Sequence, residues 1–494
     1  MTRASSTFHS PLPNRLLWIL GAATLAAGAI YLAACGILYG RIGFPLDDSW
    51  IHLTYARNLA EYGQWAFRPG APSAGSTSPL WSTLLAVGFW LRLAPHASTY
   101  LLGLLILWAL GVVSETTARR LLPIYQPRLP WIGLFMIAEW HNLWAAMSGM
   151  ETLLHGLITT LVLAALMTNS RRYLALGLLT GLSVWVRPDG LTLLGPVVLT
   201  ILLTEPTWAA RLRALVQYLI GFGVLFVFYL FFNLLIGGTP MPNTFYAKQA
   251  EYAAWQDLPF FTRLGRLLLQ LMAGPSALLA PALVLWAARV LRGRAWGSLA
   301  ALAWAVGYMF LYISRLPVYQ HGRYLMPAMP ILFLGGLLAV VEFSASRVFG
   351  RYHWLVASVW NTSLAMVLLL FVALGASSYA RDVALIEGQM VDAARWAEAN
   401  LPPDATLAVH DIGALGYFDN HTLIDLAGLV SPEVIPFIRD EPRLAAHLDA
   451  AGADYLIVFP DFYEQLPDGR QVIFTTTDIS GQTDGINMTI YRWK

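Results

Sequence analysis

The sequence predicts an α-helical polytopic membrane protein with a small α/β domain at its carboxyl end, and three observations predict it. Apolar residues make up 57% of the 494 positions and charged residues only 12%, with a strongly positive mean hydropathy. Apolar runs of about 17–25 residues recur along the first three quarters of the chain, each long enough to cross a hydrocarbon core of roughly 30 Å. From about residue 377 the composition turns to that of a soluble domain. The net charge of +2 is spread over many short loops and forms no basic stripe of the kind that binds nucleic acid. A single cysteine, Cys35, rules out an internal disulfide. The run Leu32-Ala33-Ala34-Cys35-Gly36 has the form of a lipoprotein signal, and its small residues equally suit ordinary helix packing.

Eleven spans are expected, at about 16–40, 99–118, 130–147, 150–168, 173–187, 190–204, 213–236, 265–290, 296–313, 325–344 and 353–376. The apolar stretch 79–94 reaches only about 24 Å as a helix and falls short of a crossing. Read as a juxtamembrane helix, it leaves the basic loops at Arg119/Arg120/Arg128, Arg171/Arg172, Arg211/Arg213, Arg289/Arg292/Arg294 and Arg347/Arg351 on the side of Arg3 and Arg15. The positive-inside rule assigns that side to the cytoplasm. The membrane domain is then 1–376, with its first external loop at 41–98, and residues 377–494 form an extracytoplasmic domain. In that domain 391–401 has helical periodicity closed by Pro402-Pro403. Three apolar segments, in 405–418, 421–429 and 453–459, read as short strands with turns or helices, and the end reads as a hairpin.

This topology gathers the chemically rich loops outside the cell. Foremost is Leu46-Asp47-Asp48, two carboxylates where the first span ends, followed by Ile51, Tyr55, Leu59 and Tyr62 at helical spacing. One carboxylate is open to reading as a helix cap. Arg187, Lys248, His321 and Arg323 lie at the same surface, where basic side chains bind phosphate or snorkel to the headgroups. Lys248 is the only lysine apart from the terminal Lys494. Glu151 and His155, four apart, share a helix face suited to mutual hydrogen bonding, an acceptor pocket or a metal. Glu139 and His141 sit inside a span, where ionisable groups face a cavity or a partner. Trp50, Trp65 and Trp81 are candidates for sugar stacking or for the interfacial belt. Asp411 and Asp425 read as turn residues.

Taken in order, Leu46-Asp47-Asp48 with Tyr55-Ala56-Arg57-Asn58-Leu59-Ala60, Ser76-Thr77-Ser78-Pro79-Leu80-Trp81, Ser148-Gly149-Met150-Glu151-Thr152, Arg187-Pro188-Asp189-Gly190, Pro242-Asn243-Thr244-Phe245-Tyr246-Ala247-Lys248 and Arg323-Tyr324-Leu325-Met326-Pro327 resemble the GT-C class of glycosyltransferases. Within it they are most similar to the branch of the mycobacterial terminal arabinofuranosyltransferases. The resemblance implies transfer of a sugar from a polyprenyl phosphate to a cell-envelope glycan, lipid or protein acceptor, with inversion. It implies Asp47 as general base and Asp48 as its aid. Arg323, Lys248, His321 and Arg187 then serve the donor phosphate, and Glu151, His155, Asn243 and Tyr246 the acceptor pocket. No cofactor is required; a divalent metal on Asp47 and Asp48 is an option that the chemistry does not demand. Two other functions are weighed. A transporter or flippase of lipid-linked glycans is expected to carry midplane charges and paired repeats, and a glycan-binding receptor or scaffold has little use for eleven spans.

Overall fold

The computed structural model describes residues 12–494, so Arg3 lies outside the described residues. Helix α1 (Asn14–Tyr39) is continuous through Cys35, which is buried within it. The chain then turns into α2 (Asp48–Tyr62), a two-stranded ribbon of β1 (Ala66–Arg68) and β2 (Ala71–Pro72), and α3 (Pro79–Trp90). With 12 residues, α3 extends about 18 Å, too short to span. The first half of α2 is buried on all sides rather than on one face, because α3 and the carboxyl-terminal domain enclose it.

From here the chain runs back and forth between two ends of a bundle. Helix α4 (Pro95–Leu121) leaves the Asp47 end, and α5 (Trp131–Ala138) with α6 (Trp140–Met147) returns to it. The expected span at 130–147 is thus broken at Glu139. Its carboxylate accepts from the amides of His141 and Asn142, and from the His141 ring at 2.8 Å, so the partner of this intramembrane acid is the helix break itself. Next come α7 (Thr152–Met167), α8 (Tyr173–Val186), a 3₁₀ turn at Pro188–Leu193 continuing into α9 (Leu194–Thr204), and α10 (Trp208–Gly237). A short α11 (Asn243–Glu251) precedes α12 (Phe260–Leu271) and α13 (Pro275–Gly293). The expected span at 265–290 is therefore two helices, divided at Met272–Gly274. The last passes are α14 (Trp296–Arg315), α15 (Met329–Ala345) and α16 (His353–Ile386). Among the described residues, seven helical segments are long and apolar enough to cross a membrane; α15 is buried almost throughout, whereas α10 and α16 turn rows of apolar side chains outward. Basic loops lie at one end of these passes and the motif loops at the other.

Helix α16 runs past the change in composition at 377 and passes through a π turn into α17 (Asp392–Asn400). The remaining domain contains β3 (Thr406–Val409), α18 (Gly413–Phe418), β4 (Thr422–Asp425), α19 (Glu441–Ala451), β5 (Tyr455–Val458), β6 (Val472–Thr475) and β7 (Thr489–Arg492). Strand order is β4-β3-β5-β7-β6, parallel among the first three and antiparallel beyond. Alternation decides the packing. Leu407, Val409, Ile457 and Ile490 join the core that continues into the helical bundle, while Ala408, Leu456 and Val458 pack with Leu444 and Leu448 of α19 on the opposite face. The sheet is thereby docked onto the bundle with the carboxyl ends of β3 and β4 over the Asp47 loop.

Candidate active site

At that junction lies a cavity of about 140 Å³ lined by Asp47, Asp48, Lys248, Glu251, Tyr252, Gln320, Arg323, His410 and Asp411, over apolar Leu46, Ile51, Ile386, Met390 and Leu429. Its polar groups arrive from four places: the start of α2, α11, the turn before α15, and the turn after β3. Asp47 occupies the position before α2, yet its side chain does not cap that helix. It reaches instead across the junction, accepting from the amides of Gly413 at 2.6 Å and Ala414 at 2.8 Å. Asp48 faces the cations, 3.0 Å from Arg323 Nη2 and 3.6 Å from Lys248 Nζ.

The two adjacent acids are therefore electrostatically opposite. Burial, reinforced by the charge of Asp411, holds Asp47 above the usual carboxylate range and outweighs its two amide bonds. Burial also acts to raise Asp48, but Lys248 and Arg323 overcome it and hold that carboxyl well below the usual range. Arg323 is only 8% exposed, and its Nε and Nη1 have no hydrogen-bond partner. A buried guanidinium with two free donors is costly unless an anion completes it.

Behind this cavity the other motif residues form a closed ion network. Glu151 accepts from Arg187 at 2.7 Å and lies 3.2 Å from His52 Nε2. Arg187 also pairs with Asp189 at 3.1 Å, and the hydroxyls of Tyr308 and Tyr312 donate to the same Asp189. His155 packs against Ser183 and Asp189, not against Glu151 in a metal pair. Tyr324 joins the two layers, its ring close to Arg187, Lys248 and Arg323.

Of the residues selected from sequence, the structure brings Asp47, Asp48, Lys248 and Arg323 together at the cavity. Arg187, Glu151 and His155 lie one layer behind. His321 is held elsewhere, 2.7 Å from Asp382 of α16, and does not line the cavity. Neither do Asn243, buried beside Ala74 and Gly237, and Tyr246, half-buried on α11. The three tryptophans are structural. Trp81 donates to the Gly149 carbonyl, Trp50 packs among Phe44, Tyr417 and Phe418, and Trp65 lies between Tyr55 and Phe232. Asp425 closes a turn by accepting from Ala427 and Val430, as its sequence context implies. Asp411 does not: it faces the cavity. No sequence signal marks Asp411, His410 or Glu251, because only the docking of the sheet puts them there.

A divalent cation does not fit Asp47 and Asp48 as arranged. Both Asp47 oxygens are engaged by amides, and Asp48 is already neutralised by two cations that would repel a metal. Glu398, Asp419 and His421 also place ligand atoms within 4.8 Å of one another. There His421 is engaged on both ring nitrogens, by Asp419 and by the Pro402 carbonyl, and Glu398 accepts from Asn420.

A helical bundle whose loops meet a small soluble domain is the architecture of a known class, and this chain has the fold of the GT-C glycosyltransferases. It is similar to ArnT from Cupriavidus metallidurans bound to undecaprenyl phosphate, with a TM-score of 0.59 and 18% identity, covering 97% of this chain and 98% of that one. The Archaeoglobus fulgidus oligosaccharyltransferase in its apo form aligns at a TM-score of 0.57 and 9% identity, over 90% of this chain and 70% of the other. Mycobacterial arabinofuranosyltransferase AftD aligns at 0.49 over 35% of its length, too weakly to bear on the choice of sugar. Residues 378–491 match the family model described as a domain of unknown function, DUF8728. No curated protein matches the sequence.

Proposed function

We propose that this protein is an integral-membrane glycosyltransferase that takes a sugar from a polyprenyl phosphate and passes it to an acceptor hydroxyl at the extracytoplasmic face. The observation that carries the reading is Arg323, buried with two free donors beside Lys248 in a cavity at the edge of the bundle. A lipid phosphate entering from the bilayer supplies the anion these groups lack, displacing Asp48 as their partner. The undecaprenyl phosphate bound in the ArnT structure supports this choice of donor. The basic loops at the opposite end support placing the cavity outside the cytoplasm.

In the reaction the acceptor oxygen bonds to the anomeric carbon as that carbon's bond to the phosphate oxygen breaks. The acceptor's proton passes to Asp47, whose proton affinity is raised, and the polyprenyl phosphate leaves with the electron pair onto Arg323 and Lys248. A single displacement inverts the anomeric centre. Asp48 holds the two cations in place before the donor binds. Arg187 and Glu151 support that layer through Tyr324.

The test is transfer by purified protein in lipid, with radiolabelled polyprenyl-phosphate sugars and cell-envelope acceptors, for wild type and Asp47→Asn. Transfer lost in the variant with undecaprenyl phosphate binding intact is the expected result. Transfer retained removes Asp47 as base, and absence of both transfer and donor binding in the wild type removes the reading.

A further inference from the structure

The carboxyl-terminal domain contributes His410, Asp411, Ile412, Ala427 and Leu429 to the lining of the cavity. In a partly parallel α/β sheet, ligands bind outside the carboxyl ends of the strands where the strand order reverses. Here β3 connects to β4 on one side, and the chain then returns to β5 on the other, so the reversal falls between β3 and β5. His410 and Asp411 follow β3 there, and Tyr463 follows β5; its hydroxyl is 2.8 Å from His410 Nδ1 across the gap. That crevice opens directly onto Asp47, Asp48 and Arg323.

Asp411 stands out among its lining groups. Its Oδ2 is shielded from solvent and has no hydrogen-bond partner, although it faces a cavity that already contains three other carboxylates, Asp47, Asp48 and Glu251. The neighbouring groups do not answer it. His410 is held between Tyr463 and Glu251, 3.7 Å away, and the Asp47 oxygens are turned to the amides of Gly413 and Ala414. A purely structural acid in this position is unfavourable, since an unpaired buried acceptor carries its full desolvation cost. A hydrogen-bond donor arriving with a ligand would complete it, in the same cavity as the cations that suit a phosphate.

We infer that the carboxyl-terminal domain supplies the acceptor subsite, with Asp411 accepting a hydrogen bond from a hydroxyl of a polyhydroxylated acceptor and orienting it toward Asp47. The inference rests on the transferase reading above and extends it to the half of the site built by this domain. Glu251 and His410 line the same cavity and are placed to receive neighbouring hydroxyls.

Asp411→Asn keeps the size of the side chain and removes the charge. Three measurements are made on full-length wild type and variant in liposomes: transfer at increasing concentrations of a delipidated cell-envelope glycan fraction, affinity for undecaprenyl phosphate by tryptophan fluorescence, and thermal unfolding. The expected result is a half-saturating acceptor concentration raised at least about tenfold, with undecaprenyl phosphate affinity within about twofold of wild type. The unfolding temperature is expected to rise, because an uncompensated buried charge has been removed. Unchanged acceptor dependence overturns the inference. So does an equal loss of undecaprenyl phosphate affinity, which places Asp411 on the donor side, or a fall in unfolding temperature, which makes it a structural residue. If the wild type itself transfers no sugar, the transferase reading fails first and this inference falls with it.

Discussion

Asp47 and Gly413, 366 positions apart in the chain, are joined by a 2.6 Å hydrogen bond from the Gly413 amide to the Asp47 carboxylate. Glycine makes this approach possible: a Cβ at position 413 would overlap the Asp47 carbonyl oxygen and crowd its carboxylate. The first loop of the membrane domain and the first turn of the soluble sheet are thus latched at the residue proposed as base.

Gly413→Ala is expected to open this latch. The overlap involves backbone, which cannot move aside as a flexible side chain can, so the cost is of the order of 1–3 kcal/mol or more. Transfer should be lost, the unfolding temperature should fall, and the linker at α17 should become cleavable by added protease. A Gly413→Ala protein with wild-type activity and proteolytic resistance contradicts the latch.

Arg323→Ala should weaken undecaprenyl phosphate binding by about 10- to 100-fold, the effect of losing one or two charge-assisted hydrogen bonds. Lys248→Met should weaken it less, because Lys248 is a point charge 3.6 Å from Asp48 whereas Arg323 has free directed donors. Equal affinity in all three proteins, measured by fluorescence titration, removes both residues from the phosphate site.

The pH dependence follows from Asp47. A base must be ionised, and burial together with Asp411 moves its ionisation above the ordinary carboxylate value of about 4. The rate of transfer should therefore keep climbing at pH values where an ordinary carboxylate has levelled off. Because Asp47 binds its proton more tightly in the folded protein, its contribution to stability falls as pH rises from about 4 through the raised folded value. Asp47→Asn should flatten that slope in unfolding measured against pH, and an unchanged slope assigns it to another group.

Glu151→Gln acts differently. It leaves Arg187 with Asp189 and removes the charge facing both Arg187 and His52, in a region closed to solvent. Breaking one partner of a buried pair costs about 3–5 kcal/mol. The expected outcome is poor thermal stability with undecaprenyl phosphate affinity preserved in the protein that survives purification. A stable variant with lost affinity moves Glu151 from the supporting layer to the ligand.

The sequence pattern was legible where chemistry is local. Hydropathy gives the order of the passes of the bundle, and 79–94 is too short to cross, as the 12-residue α3 within it is. Arg323 and Lys248 were recognisable as cations among motif residues at one surface. His321 faces Asp382 rather than the cavity, because two positions along a turn separate it from Arg323, whose side chain faces Asp48. The break at Glu139 was hidden for a similar reason: an acid in an apolar run signals a partner, and the partner here is the backbone of the next two residues.

By itself, then, the sequence determined the membrane class, the order of the helices and the collection of polar motifs, because each depends on patterns within about twenty neighbouring residues. Only the tertiary structure decided what the adjacent acids do. Asp47 and Asp48 have the same side chain and nearly the same place, and they differ because one meets the amides of Gly413 and Ala414 while the other meets Arg323 and Lys248. Electrostatic environment is set by groups that close in from hundreds of positions away, and Asp411 enters the cavity by that same long-range packing.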